Sequence, residues 1–314
     1  MSVKTTDGAL YADKCRSHNG ARVMQVQITK NESSPEKKVR RGFNNLTPSE
    51  WASHSKNVWN DLSSPRTKEQ MQHGAVFPLK LAERLITIYS KEGDYVFDPF
   101  LGIGTTLVAA QNLGRHALGI ELNPEFAQTA EQWKKKNKNL LSTKIRHKIV
   151  NDDCRNLTKY VKGQNIQLTV TSPPYADFIR RSIADRKKTH KKSLIVHANN
   201  SKVKPYSEDT RDFGNLPYEE FMLEIEDVLR LNFETTKPGG YSAWVVKDYR
   251  NTEKKIPYVA VHSDLAVAGE RAGFKLQDLI IWDQTGQRRL VLLGFPSVFY
   301  SNQNCSFIVI FRKC

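Results

Sequence analysis

Ser172, Pro173, Pro174 and Tyr175 follow a run from Leu168 to Thr171, apolar and partly β-branched, that predicts a buried strand. Two consecutive prolines supply no backbone N–H and fix φ, so the chain leaves the sheet as a stiff, extended turn. The carbonyls of that turn have no local donor, which makes them acceptors for the hydrogens of another molecule. A second stretch with chemical character is DPFLGIGTT, Asp98 to Thr106. Gly102 and Gly104 let the backbone approach a ligand closely, and Asp98 offers a carboxylate at a strand end. The stretch is not a nucleotide phosphate loop: no lysine follows as in GxxxxGK[ST], and Leu107 stands where GxGxxG requires its third glycine.

Two further acids end the next two strands. Glu121, in LGIELNP, can accept hydrogen bonds from both hydroxyls of a ribose, and Asp153, in NDDC, is placed to meet an adenine amino group. Each also has a plainer reading, Glu121 as a surface acid and Asp153 as a helix N-cap. An acid at the end of each of three successive strands, with no diphosphate anchor, points to an adenosine carrying a cationic group. S-adenosylmethionine is such a ligand.

The elements that must position these residues alternate between strand and helix. FPLKLAERLITIYS reads as a helix with Leu81, Leu85 and Ile88 at helical spacing and Pro78 in its first turn. DYVFDPF is a strand, TTLVAAQNLG a helix closed by Gly114, HALGIEL a strand, and PEFAQTAEQWKKKNK a helix entered through Asn123 and Pro124. HKIVNDDC and IQLTVTS follow as strands. The long helix YEEFMLEIEDVLRLNFETT is expected to stop at Pro238, Gly239 and Gly240, before the strand YSAWVVKDY. A helix over YVAVHSDLAVAGERAGF then leads to the strands KLQDLIIWDQ and CSFIVIFRK, which should pair antiparallel because no helix joins them. The order predicts an α/β fold: a Rossmann-like, mostly parallel sheet of seven strands with an antiparallel last strand.

The 314 residues suit one domain with insertions, expected over 46–314, with a cofactor half at about 77–160 and a catalytic half at about 161–314. Residues 1–45 read as a flexible basic arm, although Trp51 and Trp59 suggest that the region just beyond it packs on the body. A net charge of +15 and a pI near 9.6 make a polyanion the leading partner. The four cysteines lie far apart without a CxxC, so no metal site and no disulfide framework are indicated. The N-terminus lacks the apolar core of a signal peptide, and no window approaches a membrane span. A soluble cytoplasmic protein with no membrane partner is expected, either monomer or homodimer.

At these motifs the chain resembles the amino-group DNA methyltransferases, whose cofactor loop looks like DPFxGxGTT and whose catalytic loop looks like (S/D/N)PP(Y/F). The resemblance runs from about Phe77 to Lys313, and FPLKLAERLI resembles the helix that closes over the methionine end of the cofactor. It implies S-adenosylmethionine as cofactor, held by Phe77, Pro78, Asp98, Pro99, Phe100, Gly102, Gly104, Thr105, Thr106, Glu121, Leu122, Asp153 and Cys154. It further implies Ser172, Pro173, Pro174 and Tyr175 as the catalytic loop, with Tyr175 stacked on a target base extruded from duplex DNA. The serine form is associated with the N4 amino group of cytosine, and the DPPY form is commoner among enzymes acting on N6 of adenine. Many SPPY enzymes place the catalytic loop before the cofactor loop; here it follows, which leaves the target-recognition segment open. The expected function is a bacterial modification enzyme whose mark blocks a cognate restriction endonuclease. Adenine N6 is the alternative target, then an RNA amino group, then a binding module without catalysis.

The grip on nucleic acid is assigned to the basic insertion 179–215, through Arg180, Arg181, Arg186, Lys187, Lys188, Lys191 and Lys192, and to Arg288 and Arg289 near the end of the chain. A solvated charge run is the plainer reading of the same residues.

Overall fold

The computed structural model describes residues 40–62, 76–137, 145–163, 165–174, 176, 207, 209–251, 256–287, 290 and 297–314. The described elements are α1 (Pro48–His54), β1 (Val58–Trp59), α2 (Leu79–Tyr89), β2 (Tyr95–Asp98), α3 (Thr105–Asn112), β3 (His116–Glu121), α4 (Pro124–Lys136) and β4 (His147–Asn151). They continue with β5 (Ile166–Thr171), α5 (Tyr218–Thr235), β6 (Thr236–Val246), β7 (Tyr249–Asn251), β8 (Ile256–Val259), α6 (Val261–Arg271), β9 (Lys275–Asp283) and β10 (Cys305–Arg312).

The main sheet has eight strands in the order β1-β9-β10-β6-β5-β2-β3-β4. β10 is antiparallel to both of its neighbours, and every other pairing in this sheet is parallel. This is the Rossmann-like α/β architecture expected from the alternation of strand and helix. The eighth strand, β1, is a two-residue addition beside β9, where Trp59 pairs with Trp282 and is buried. Two residues carry no periodicity, so the sequence pattern could not announce it.

Side chains alternate across the sheet into two apolar layers. Val96, Leu168, Val170, Ala243 and Ile308 face the layer that contains Leu81, Leu85 and Leu107 of α2 and α3. Phe97, Trp244 and Val309 face the layer that contains Ile225 and Leu229 of α5 and Leu265 of α6. All six residues of β5 are buried, as a strand covered on both faces must be. Its period breaks once: the register shifts between Ile166 and Leu168 against both neighbours, and these two residues face opposite layers.

Two boundaries differ from the expected ones. α5 ends at Thr235, and Pro238, Gly239 and Gly240 lie inside β6, where the pairing with β5 jumps from Thr236 to Tyr241. The glycines therefore form an irregularity at the start of a strand instead of stopping a helix. The helix expected from Tyr258 begins at Val261, because Ile256–Val259 pairs antiparallel with Tyr249–Asn251.

The strand order reverses between β2 and β5. From β2 the chain builds outward through β3 and β4, and from β5 it builds the other way through β6. Ligands of open α/β sheets bind beyond the carboxyl ends of strands at such a point, and the two motifs follow β2 and β5.

Candidate active site

A cleft open to solvent lies at this reversal. Of the expected residues, Phe77, Asp98, Pro99, Phe100, Gly102, Thr105, Glu121, Leu122, Asp153, Cys154, Ser172 and Pro174 line it. Pro173 is buried beside them. Pro78, Gly104 and Thr106 have other duties. Pro78 stands at the N-cap of α2. Gly104 takes φ +93 at the start of α3, and a Cβ there would sit 3.0 Å from the Cβ of Ala130, so α4 packs directly on the loop. Tyr175, Arg180, Arg181, Arg186, Lys187, Lys188, Lys191, Lys192, Arg288 and Arg289 lie outside the described residues.

Asp98, expected to offer its carboxylate to a ligand, is 2% exposed and engaged within the protein. Its Oδ1 accepts from Thr171 Oγ1 at 2.7 Å and from the Phe100 N–H at 3.1 Å, and its Oδ2 accepts from Thr106 Oγ1 at 2.6 Å. One carboxylate thus joins the glycine loop, the first turn of α3 and the last residue of β5, next to Ser172. Burial pushes this carboxyl up to about 6, against the pull of the two hydroxyls.

Glu121 closes β3 and keeps part of its surface open to the cleft. Its Oε2 accepts from the Gly102 N–H at 2.6 Å and its Oε1 from the Asn123 N–H at 2.8 Å. The side chain therefore sets the shape of the glycine loop. Burial pushes its carboxyl up to about 7, and the two backbone donors pull the other way.

Asp153 is the N-cap of the short 3-10 helix Cys154–Lys159, accepting from the Arg155 N–H at 2.9 Å. Both of its oxygens also hold the Arg155 guanidinium, with Nη2 at 2.6 Å. Arg155 reaches Glu224 of α5 at 3.0 Å and stands 5.2 Å from the centroid of the Phe213 ring. Burial pushes the neighbouring Cys154 thiol well up, so it is an inert wall of the cleft.

The remaining wall comes from residues that the sequence pattern did not reveal. Ser207, Arg211, Asp212 and Phe213 line the cleft, together with Val76, Leu101, Ile103, Asn123 and Phe126. The described carboxyl end of the basic insertion thus returns to this cleft. Asp212 fixes the turn: its Oδ1 accepts from the Gly214 N–H at 2.8 Å and its Oδ2 from Ser207 Oγ at 2.9 Å. Phe213 then meets Phe100 edge to face at 5.6 Å. Asp212 followed by Gly214 hinted at a turn, but nothing local said that it would close this cleft.

The residues fit an S-adenosylmethionine. Aromatic rings, four acids and glycine backbone line the cleft; no lysine stands in the lining, and its Arg211 is paired with Asp209 at 2.6 Å. The Thr105 hydroxyl is buried in that lining without a hydrogen-bond partner, an orphan that a polar ligand would satisfy. Among the described residues no group of three or more His, Cys, Asp or Glu could hold a metal. No described helix is long and apolar enough to cross a membrane.

Comparison with known proteins agrees with this cleft. A DNA methylase model of the N6/N4 type matches residues 9–132, which begins before Phe77, includes the glycine loop and Glu121, and stops short of Ser172. The Type II methyltransferase M.MthZI of Methanothermobacter thermautotrophicus is 46% identical over 78 residues, which is 24% of this chain and 22% of that protein. The Type II methyltransferase M.BglI of Bacillus subtilis is 40% identical over 90 residues, 28% of this chain and 25% of that protein. M.Cfr9I of Citrobacter freundii, also a Type II methyltransferase, is 38% identical over 99 residues, 32% of this chain and 29% of that protein. The matched part of the chain thus spans roughly a quarter of the length of these relatives. A solved SAM-dependent methyltransferase from Methanosarcina mazei aligns at 14% identity with a TM-score of 0.43, over 73% of this chain and 96% of that one. Over the part of its length matched by the family model and the Type II relatives, the chain is similar to the amino-group DNA methyltransferases, and the family model's match includes the glycine loop.

Proposed function

We propose that this protein methylates the N4 amino group of cytosine at a specific site in duplex DNA, as the modification partner of a restriction endonuclease. One observation carries the reading: Ser172 and Pro174 line the same cleft as the glycine loop, and Asp98 ties the two together through Thr171. Bound in the cleft, S-adenosylmethionine would supply an electrophilic methyl group on its sulfonium.

The exocyclic amine of cytosine is a poor nucleophile because its lone pair is delocalised into the ring. In this reading the Ser172 hydroxyl and the Pro173 carbonyl each accept one N–H of that amine, which localises the lone pair and aims it along the line of transfer. The prolines keep the acceptor rigid. The amine nitrogen would bond to the methyl carbon as its C–S bond breaks, with S-adenosylhomocysteine as the leaving group, and the cationic amine would then lose one proton to solvent; no covalent enzyme intermediate is formed. Attack through a thiolate, as methylation at C5 requires, has no support from Cys154, whose thiol burial keeps protonated. Tyr175 is assigned the stacking surface for the extruded base.

The raised carboxyl of Glu121 gives the cofactor site a pH dependence. Ribose hydroxyls donate to the ionised carboxylate, and its folded value near 7 means that the ionised fraction falls as the pH drops through 7. Cofactor affinity is therefore expected to weaken below about pH 7, by at most about tenfold per pH unit. Glu121→Gln should bind more weakly at pH 8 and show a flatter profile. Equilibrium binding of S-adenosylmethionine from pH 5.5 to 8 checks this, and equal slopes for the two proteins would contradict it.

The reading itself is tested by offering the protein methyl-labelled S-adenosylmethionine with duplex DNA and, separately, with RNA. Acid-stable label in the DNA is the expected result. Label in RNA alone would transfer the site to another substrate.

A further inference from the structure

The loop between β9 and β10 stands at the same edge of the sheet as Ser172. β6 is parallel to β5, β10 is antiparallel to β6, and β9 is antiparallel to β10, so the carboxyl end of β9 and the start of β10 share that edge. The base of the loop is fastened to the sheet. Lys247 Nζ, just beyond β6, donates to the Gln303 carbonyl at 2.7 Å, and the Gln284 N–H donates to the Asn304 carbonyl at 2.9 Å. The Arg250 guanidinium of β7 stands 4.9 Å from the centroid of the Tyr300 ring. Beyond these fastenings the loop turns apolar side chains outward: Leu290 is 71% exposed, Val298 49% and Phe299 91%.

A large aromatic ring held almost wholly in water, next to a pinned and cationic base, marks a contact surface. Its place at the catalytic edge and the +15 charge of the chain choose a polyanion over an apolar protein partner. Proteins that distort duplexes insert apolar side chains between base steps, using neighbouring cations to hold the backbone. We propose that Phe299 is such a wedge: it enters the base stack of duplex DNA beside the target pair and holds open the gap that the extruded base leaves. Lys247 and Arg250 fix the depth of the wedge by anchoring its loop to β6 and β7. This rests on the reading of the protein as a DNA methyltransferase and deepens it by naming the residue that opens the duplex.

A wedge matters only where the target base must be unstacked and unpaired, and a mismatched base needs little help. The test measures single-turnover methyl transfer by wild type, Phe299→Ala and Phe299→Trp, on a duplex carrying the site that the wild type methylates, with the target base either paired or mismatched. Phe299→Ala should slow transfer at the paired base by about tenfold or more and at the mismatched base by about twofold or less, while Phe299→Trp restores the paired rate. The ring is exposed, so the thermal midpoints should be unchanged. Equal slowing on both duplexes, or no slowing on either, overturns the wedge and leaves the methyltransferase intact. Failure of the wild type to methylate any duplex overturns the functional reading instead.

Discussion

Ser172→Ala is expected to lower kcat by about 10²- to 10³-fold while cofactor affinity stays within about twofold. The reason lies in where charge develops. As the amine attacks, its N–H bonds become more acidic, and an acceptor fixed at the end of a rigid strand stabilises that change without reorganising. Ser172 follows the last residue of β5, and Thr171 is held by its hydroxyl to Asp98 at 2.7 Å. The bonds that shape the glycine loop, from Glu121 to the Gly102 N–H and from Asp98 to Thr106, do not involve Ser172. Single-turnover kinetics beside equilibrium binding separate the two effects. Full turnover by the variant would remove Ser172 from the chemistry.

The second large effect is expected from Asp98→Ala, which acts through structure. Removing the carboxylate leaves the Thr171 hydroxyl and the Phe100 N–H without their acceptor in a site only 2% exposed, and leaves Thr106 Oγ1 only its longer bond to the Val170 carbonyl at 3.3 Å. Buried unsatisfied groups cost about 1–3 kcal/mol each, so a loss of at least about 2 kcal/mol in stability is expected. With the tie between the glycine loop and β5 gone, cofactor affinity should fall by at least about a hundredfold, as about 1.4 kcal/mol corresponds to each factor of ten. Asp98→Asn keeps an oxygen acceptor and should lie between.

The same residue makes a pH statement. Its folded value of about 6 lies above the ordinary 3.8, so protonation favours the folded state. That contribution is present in full below about 3.8 and is lost as the pH rises through about 6. Against wild type, Asp98→Asn should therefore gain relative stability across that window and level off above it. Denaturation at several pH values checks both parts. An alanine variant with unchanged stability and cofactor affinity would contradict the role given to Asp98.

Much of this arrangement was legible in the residues. The alternation of strand and helix, the antiparallel last pair and the glycine loop all follow from short-range patterns, because periodicity and glycine placement act locally. The acids at 98, 121 and 153 were found by the same logic, but their partners were not. That Asp98 would bond to Thr171, 73 residues away in the chain, depends on β2 lying beside β5, which no local pattern states. Asp153 was readable both as an adenine partner and as a cap. The structure makes it a cap that also grips Arg155, still within the cleft wall.

The strip at 207–213 was hidden for a related reason. It lies at the end of a basic insertion whose charge pointed to phosphate, yet Phe213 and Asp212 return to the cofactor cleft. Helix α1 was missed although its signal was present: Thr47 and Glu50 form a capping box around Pro48. The helix has only seven residues and none is buried, so no apolar period marked it.

The most direct test of the account digests DNA after incubation with the protein and labelled S-adenosylmethionine, then identifies the modified nucleoside by mass. N4-methyldeoxycytidine is expected, made by wild type and lost with Ser172→Ala. N6-methyldeoxyadenosine, or 5-methyldeoxycytidine, as the product would contradict it.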